Sequence, residues 1–150
     1  MPVELLKQTV TELLTLLDVE IETLTVREGH RTVVAVTSSD STRLIGPNGE
    51  HLRALNAVAR RLVEKSHGEE AGSFLIDVNN YHEQQMEQVR DNARLLAQRA
   101  RLFKHDVEMG PMSAYERLVV HELFAEDPEI KTESQGEGKF RHIVLKHKTA

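Results

Sequence analysis

The stretch LIGPNGEHLRALNAVARRL, running from Leu44 to Leu62, sets two glycines three residues apart at the mouth of an amphipathic helix. Leu52, Leu55, Ala59 and Leu62 recur after it at helical spacing, and Leu44-Ile45 anchors a shorter helical turn before it. Such a Gly-x-x-Gly has two readings. Pro47-Asn48-Gly49 is a good turn sequence in its own right. A helix N-terminus also exposes unpaired N–H groups and partial positive charge, which suits a phosphate, and glycines remove the Cβ atoms that would hold a polynucleotide backbone away. What flanks the loop decides between them.

Before it, Leu5, Val10, Leu13, Leu14 and Leu17 predict a first helix. VEIETLTVREGHRTVVAVTSS then reads as two strands about a turn at Glu28-Gly29-His30, with Ile21, Leu24 and Val26 set against Val33, Val34 and Val36. SSDSTRLIG holds a short capped helical turn, the longer helix spans about Gly49 to Lys65, and FLIDVNN is a third strand beyond the polar loop SHGEEAGS. The order is helix–strand–strand–helix–helix–strand, complete by about Asn79. It resembles a type II KH domain, whose GXXG loop clamps single-stranded nucleic acid. A P-loop would need Gly-Lys-Ser/Thr where Gly49-Glu50 stands, and a dinucleotide fingerprint from Gly46 fails at Asn48 and His51. Arg53 and Arg60 share one flank of the helix and Arg43 precedes the loop, so Arg43 and Arg53 are the candidate phosphate contacts. Arg61 and Lys65 point elsewhere, as solvated charges.

The texture changes after Asn79. YHEQQMEQVRDNARLLAQRARLFKH predicts a long helix with Val89, Ala93, Leu96, Ala100 and Phe103 on one face. Arg90, Arg94 and Arg101 form either a basic track or a solvated flank paired with Glu83 and Glu87. DVEMGP is a connector with room for a short strand. SAYERLVVHELFAED is a second helix opened by a Ser113/Glu116 capping box, and IKTESQGEGKFRHIVLKHK reads as two strands about Gly136–Gly138. Arg117 and His121 stand one turn apart, with Leu118, Val119, Leu123 and Phe124 as the buried side. On spacing alone this is a surface Arg/His pair. HExxH fails at both His82-Glu83 and His121-Glu122, because Met86 and Ala125 stand where the second histidine is needed.

Composition narrows the classes. The 150 residues carry a net charge of −5 and no cysteine, so disulfide staples and thiolate metal sites are excluded. No apolar run is long enough for a membrane span or a secretory core, and a cytoplasmic protein without cofactor is expected. A strong non-specific nucleic-acid binder is usually basic; here binding must come from local patches. No paired-acid, triad or metal-spaced constellation appears, so no enzyme is expected.

Arg-x-x-x-His is the signature of the small R-three-H nucleic-acid-binding module. PMSAYERLVVHELFAEDPEIKTESQGEGKFRHIVL resembles that module as it occurs in the bacterial Jag family, also called KhpB or SpoIIIJ-associated, where it follows a KH domain. The resemblance runs from about Met1 to Lys146 and rests on LIGPNGEHLRALN, IDVNNY and PMSAYER…H together. It implies an α+β chain, with a KH domain over 1–79 and an R-three-H domain over 80–150 that includes a linking helix over 80–105. It further implies binding of single-stranded RNA, with single-stranded DNA as the other candidate. Gly46, Pro47, Asn48 and Gly49 would be the clamp, Arg117 and His121 the signature pair, and Arg141 their neighbour from the last strand. A role in bacterial post-transcriptional control of elongation or division, with a single-KH protein as partner, is implied too.

Three departures stand out. The central GXXG positions, usually basic, are Pro47 and Asn48; proline brings no N–H. The residue after the signature arginine, often a second arginine, is Leu118. The sequence begins at the KH helix, so the N-terminal Jag domain of many relatives is expected to be missing. With the acidic net charge, these define the rival expectation, a protein–protein scaffold with weakened RNA binding.

Overall fold

The computed structural model describes residues 2–68 and 72–148, which form two compact units, Met1–Glu83 and Gln84–Ala150. The division lies a few residues beyond Asn79, inside the first turn of a long helix, because Tyr81 packs against the first core.

The first unit runs α1 (Val3–Leu16), β1 (Thr23–Arg27), β2 (Thr32–Thr37), α2 (Ser41–Ile45), a 3-10 turn at Pro47–Gly49, α3 (Glu50–His67) and β3 (Phe74–Val78). This is the helix–strand–strand–helix–helix–strand order read from sequence. β2 is central, antiparallel to β1 with Val26 opposite Val34, and parallel to β3 with Val34 opposite Ile76. The parallel pairing requires a crossover, which α2 and α3 supply. Leu6, Val10 and Leu14 of α1 meet Val34, Val36, Ile76, Val78, Leu52, Leu55, Ala59 and Val63 in one core.

Two expected core residues are exposed. Leu17 is 45% exposed, since α1 ends at Leu16 and the chain turns away through Asp18 at φ 54°. Leu62 is 40% exposed and Val63 takes the inward position.

Side-chain amides and carboxylates stitch the unit together where strand hydrogen bonds end. Asn79 accepts from the Ser38 N–H at 3.0 Å and donates to the Ser38 carbonyl at 2.9 Å, prolonging the β2–β3 ladder by one rung. Ser38 donates its hydroxyl to the Glu20 carbonyl, and Asp40 accepts from the Glu20 N–H at 2.9 Å. The buried Asp77 accepts from the His82 N–H at 2.8 Å, in the first turn of the next helix. The turn between them needs Asn79 and Asn80 at φ 50° and 60°, a conformation asparagine tolerates better than most residues. The bonds of Asp77 and Asn79 are the physical content of the IDVNNY stretch.

The second unit contains most of α4 (Tyr81–Phe103), then β4 (Val107–Glu108), α5 (Ala114–Leu123), β5 (Ile130–Gln135) and β6 (His142–His147). Its sheet has the order β4-β6-β5, antiparallel throughout. Ala93, Ala97 and Ala100 form a methyl-only stripe that packs with Val120, Phe124, Ile130, Ile143 and Leu145. Phe103, expected on that stripe, is 63% exposed; Leu118 is 43% exposed, while Val119 is buried as expected and Val120 joins it. The capping box forms: Ser113 Oγ accepts from the Glu116 N–H, and Glu116 accepts from the Ser113 N–H at 2.8 Å. At the other end of α5, Asp127 accepts from the N–H groups of Glu129 and Ile130 and pairs with Arg101.

Candidate nucleic-acid interface

The glycine loop is held in a conformation few sequences permit. Gly46 sits at φ 70°, ψ 179°, Asn48 at φ 53° and Gly49 at φ 74°, so three of four residues leave the right-handed region. A Cβ on Gly46 would lie 2.4 Å from the His51 ring, and one on Gly49 2.9 Å from the Tyr81 ring. His51 is fixed in turn by Nδ1 at 2.8 Å from the Arg43 carbonyl. The glycines therefore make room for side chains of the protein itself. Pro47 and Asn48 form the exposed tip, and Gly49 is buried.

The loop has few amides to offer a ligand. The Gly46 N–H donates to the Thr42 carbonyl at 3.0 Å, the Gly49 N–H to the Gly46 carbonyl at 3.2 Å, and Pro47 has none. Asn48 carries the remaining one. Three of the four loop amides are thus absent or already engaged.

Arg53 donates to the Asn48 carbonyl at 2.8 Å, which brings its guanidinium to the loop tip. Arg43 donates to the Leu17 and Asp18 carbonyls at 3.4 Å and lies 3.9 Å from Asp40, its side chain 62% exposed. A guanidinium has five donors, so each keeps capacity for a phosphate. Arg43 and His51 also line a hollow of about 300 Å³ whose other walls include Leu13, Leu17, Leu55 and Val58. His51 and Tyr81 were not singled out from sequence; only the tightness of a GXXG turn could have pointed to the rings beside it.

In the second unit, α5 sets Arg117 and His121 one turn apart, both half-buried. Arg117 donates to the Met112 carbonyl at 2.8 Å, and the Met112 N–H donates to the Arg141 carbonyl at 3.1 Å. Arg141 donates to the Gly136 carbonyl at 2.8 Å. Each candidate arginine thus staples a turn through one donor while retaining others. Thr132, which belongs to no sequence motif read above, holds His121: its Oγ1 lies 2.6 Å from Nδ1. Burial, and then the Arg117 charge, push the His121 pKa below its ordinary value of 6.5. The ring is therefore neutral near pH 7, with Nδ1 engaged by Thr132.

The basic track on α4 is paired with acids. Arg90 and Arg94 both bond Glu87, at 3.0 and 3.2 Å, Arg94 also bonds Asp91 at 2.9 Å, and Arg101 pairs with Asp127. Glu87 is held below the usual carboxylate range by Arg94 first and Arg90 second. The solvated-flank reading holds for Arg90 and Arg94, with Asp91 as a partner beyond Glu87, whereas Arg101 meets the half-buried Asp127 beyond α5. Among the described residues, no cluster of three or more His, Asp or Glu could hold a metal ion, and no helix is long and apolar enough to cross a membrane.

Residues 84–147 match the family model of the R-three-H domain. The RNA-binding protein KhpB of Bacillus subtilis (strain 168) is 30% identical over 128 residues, 83% of this chain and 61% of the relative. That of Clostridium symbiosum is 30% identical over 112 residues, 75% of this chain and 50% of the relative. The Streptococcus pneumoniae protein of the same name is 25% identical over 130 residues, covering 85% and 39%. The chain thus spans about half to three-fifths of the length of the first two relatives. Its N-terminal α-β-β-α-α-β unit has the KH arrangement, and with an R-three-H domain at 84–147 the chain is a homologue of the KhpB, or Jag, proteins over most of its length.

Proposed function

We propose that this chain binds single-stranded RNA through two modules and performs no catalysis. The first module engages the strand at the exposed Pro47-Asn48 tip with Arg43 and Arg53. The second engages it with Arg117 and His121. The observation that carries the reading is the R-three-H segment, where Arg117 and the Thr132-held His121 share one helical face within a family whose relatives are named as RNA-binding proteins. Each module holds only a few nucleotides, and joining both in one chain raises affinity through effective concentration. The two domains are read as 1–79 and 80–150, the long helix belonging with the second. The setting proposed is the bacterial cytoplasm, in post-transcriptional control tied to elongation or division, with a single-KH protein as partner.

The occupied amides of Gly46 and Gly49 favour a second reading, in which the first unit is chiefly a protein-contact module. A titration against labelled mixed-sequence single-stranded RNA, at low and moderate salt, separates the two. Phosphate neutralisation makes log K fall linearly with log salt. Glycine substitutions would disturb His51 and Tyr81, so the loop is tested at its tip, with Pro47→Glu/Asn48→Asp, beside Arg117→Ala/His121→Ala. Salt-dependent binding that both double variants weaken supports the two-module reading. Binding lost only in the second leaves RNA to the R-three-H unit, and no binding by the folded wild type overturns RNA recognition.

A further inference from the structure

We propose that Phe140 is a base-stacking platform, and that the turn from Gly136 to Arg141 seats one unpaired nucleobase beside the Arg117/His121 face. The inference rests on the RNA-binding reading and adds to it a residue outside the signature pair.

Phe140 is 66% exposed in a chain whose aromatic content is only 4%. Phe74 and Phe124 are buried in the two cores, at 3% and 6%. Leaving an aromatic ring in water forgoes the burial that drives folding. Here the exposure is built in. Gly136 stands at φ 89°, where a Cβ would lie 3.0 Å from the Phe140 carbonyl oxygen. The Phe140 N–H donates to the Glu137 carbonyl at 3.2 Å, and the Arg141 N–H to the Gly138 carbonyl at 3.2 Å. His142 Nδ1 lies 3.0 Å from the Phe140 carbonyl, and the Arg141 guanidinium closes the turn on Gly136. Residue 140 is therefore held on a fixed backbone, with its side chain outside the core.

Its neighbours are cationic. The Lys139 ammonium stands 5.4 Å from the centre of the Phe140 ring, and Arg141 follows. Arg141 connects through its carbonyl and Met112 to Arg117, so the turn that carries the ring is tied by hydrogen bonds to the signature arginine. An exposed ring flanked by cations is the arrangement by which single strands are held without sequence readout: the base stacks, the phosphates meet the charges. A duplex keeps its bases stacked on each other and cannot supply one, so the platform selects single strands.

The test uses the full chain. Phe140→Leu keeps apolar bulk and removes the π face; at an exposed site it leaves the fold intact, checked by circular dichroism. Single-stranded RNA should bind about 5- to 100-fold more weakly to it. That loss should be the same at every salt concentration, whereas Arg117→Ala should flatten the salt slope. The chain has no tryptophan, so Phe140→Trp places a single fluorophore on the turn. Its emission should be quenched by RNA and unaffected by an abasic oligonucleotide of equal length. Unchanged RNA affinity in Phe140→Leu, or equal quenching by the abasic strand, overturns the platform while leaving RNA binding standing. Absence of binding by wild type overturns both.

Discussion

The Asn56 side chain on α3 meets both main-chain groups of Ile76 on β3: Nδ2 donates to the carbonyl at 3.0 Å and Oδ1 accepts from the N–H at 2.7 Å. β3 is an edge strand, paired only with β2. Its outward N–H and C=O would otherwise be stranded in the core, where an unpaired polar group is costly. A single amide thus acts as the missing neighbouring strand and fixes the helix that follows the glycine loop. Asn56→Ala should destabilise the first unit by about 1–3 kcal/mol for each group left unpaired. Asn56→Asp should also fail, since a carboxylate keeps the acceptor but turns toward the Leu52 and Ile76 carbonyls with no proton to give. Urea unfolding followed through amide exchange of β3 measures both. Wild-type midpoints in either variant would remove the amide from the list of causes.

Element order was legible because each segment has one period and clear punctuation: β-branched residues about Glu28-Gly29-His30, alanines and leucines after the loop, Ser113/Glu116 before α5. Burial at element ends was not. Leu17, Leu62 and Phe103 keep helical phase with buried residues, yet each is exposed. Periodicity assigns a face and says nothing of where along the helix its packing partner ends. Polar partners across the fold, such as Asn56 with Ile76 or His121 with Thr132, are 20 and 11 residues apart in sequence and follow no period.

Gly49 and Tyr81 pose a steric problem that separates into two parts. Gly49→Ala should lose about 1–2 kcal/mol from the positive φ alone. It should lose more from the contact with the Tyr81 ring, which would stand 2.9 Å from the new Cβ. Tyr81→Leu removes the ring edge and should restore the second part only. A double-mutant cycle by thermal unfolding checks the coupling; strict additivity would show that the ring yields freely.

Asp127 is one acid-sensitive point of the second unit. Burial raises its pKa, but the Glu129 and Ile130 N–H groups and then Arg101 outweigh that and hold it below the ordinary 3.8. A carboxyl depressed in the folded state contributes stability above its unfolded pKa and loses it as pH falls through the folded value. Asp127→Asn should therefore melt lower than wild type at pH 7. The gap should narrow below about pH 4 and close in stronger acid. Melting curves across that range, read on the second unit, check it; a gap independent of pH would assign the loss to geometry rather than charge.

His121 should couple RNA binding to protons. Its folded pKa is depressed by burial and by Arg117, so the free protein holds the ring neutral and gains stability above pH 6.5 that is lost as pH falls through the lower folded value. A phosphate beside the pair reverses the balance, because it offsets the Arg117 charge and attracts the imidazolium. Thr132 accommodates both states, its hydroxyl donating to a bare Nδ1 and accepting from a protonated one. RNA affinity should then rise as pH falls from about 7.5 to 5.5, by about tenfold for each unit the bound phosphate adds to the pKa. His121→Gln should remove most of that dependence while the RNA still binds at pH 7.5. Thr132→Val should keep the direction but shift its midpoint, and Thr132→Ser should restore it. Binding titrations at several pH values, with the His121 ring protons followed by NMR, give both readings. A pH profile identical in His121→Gln and wild type would place the coupled proton on another residue.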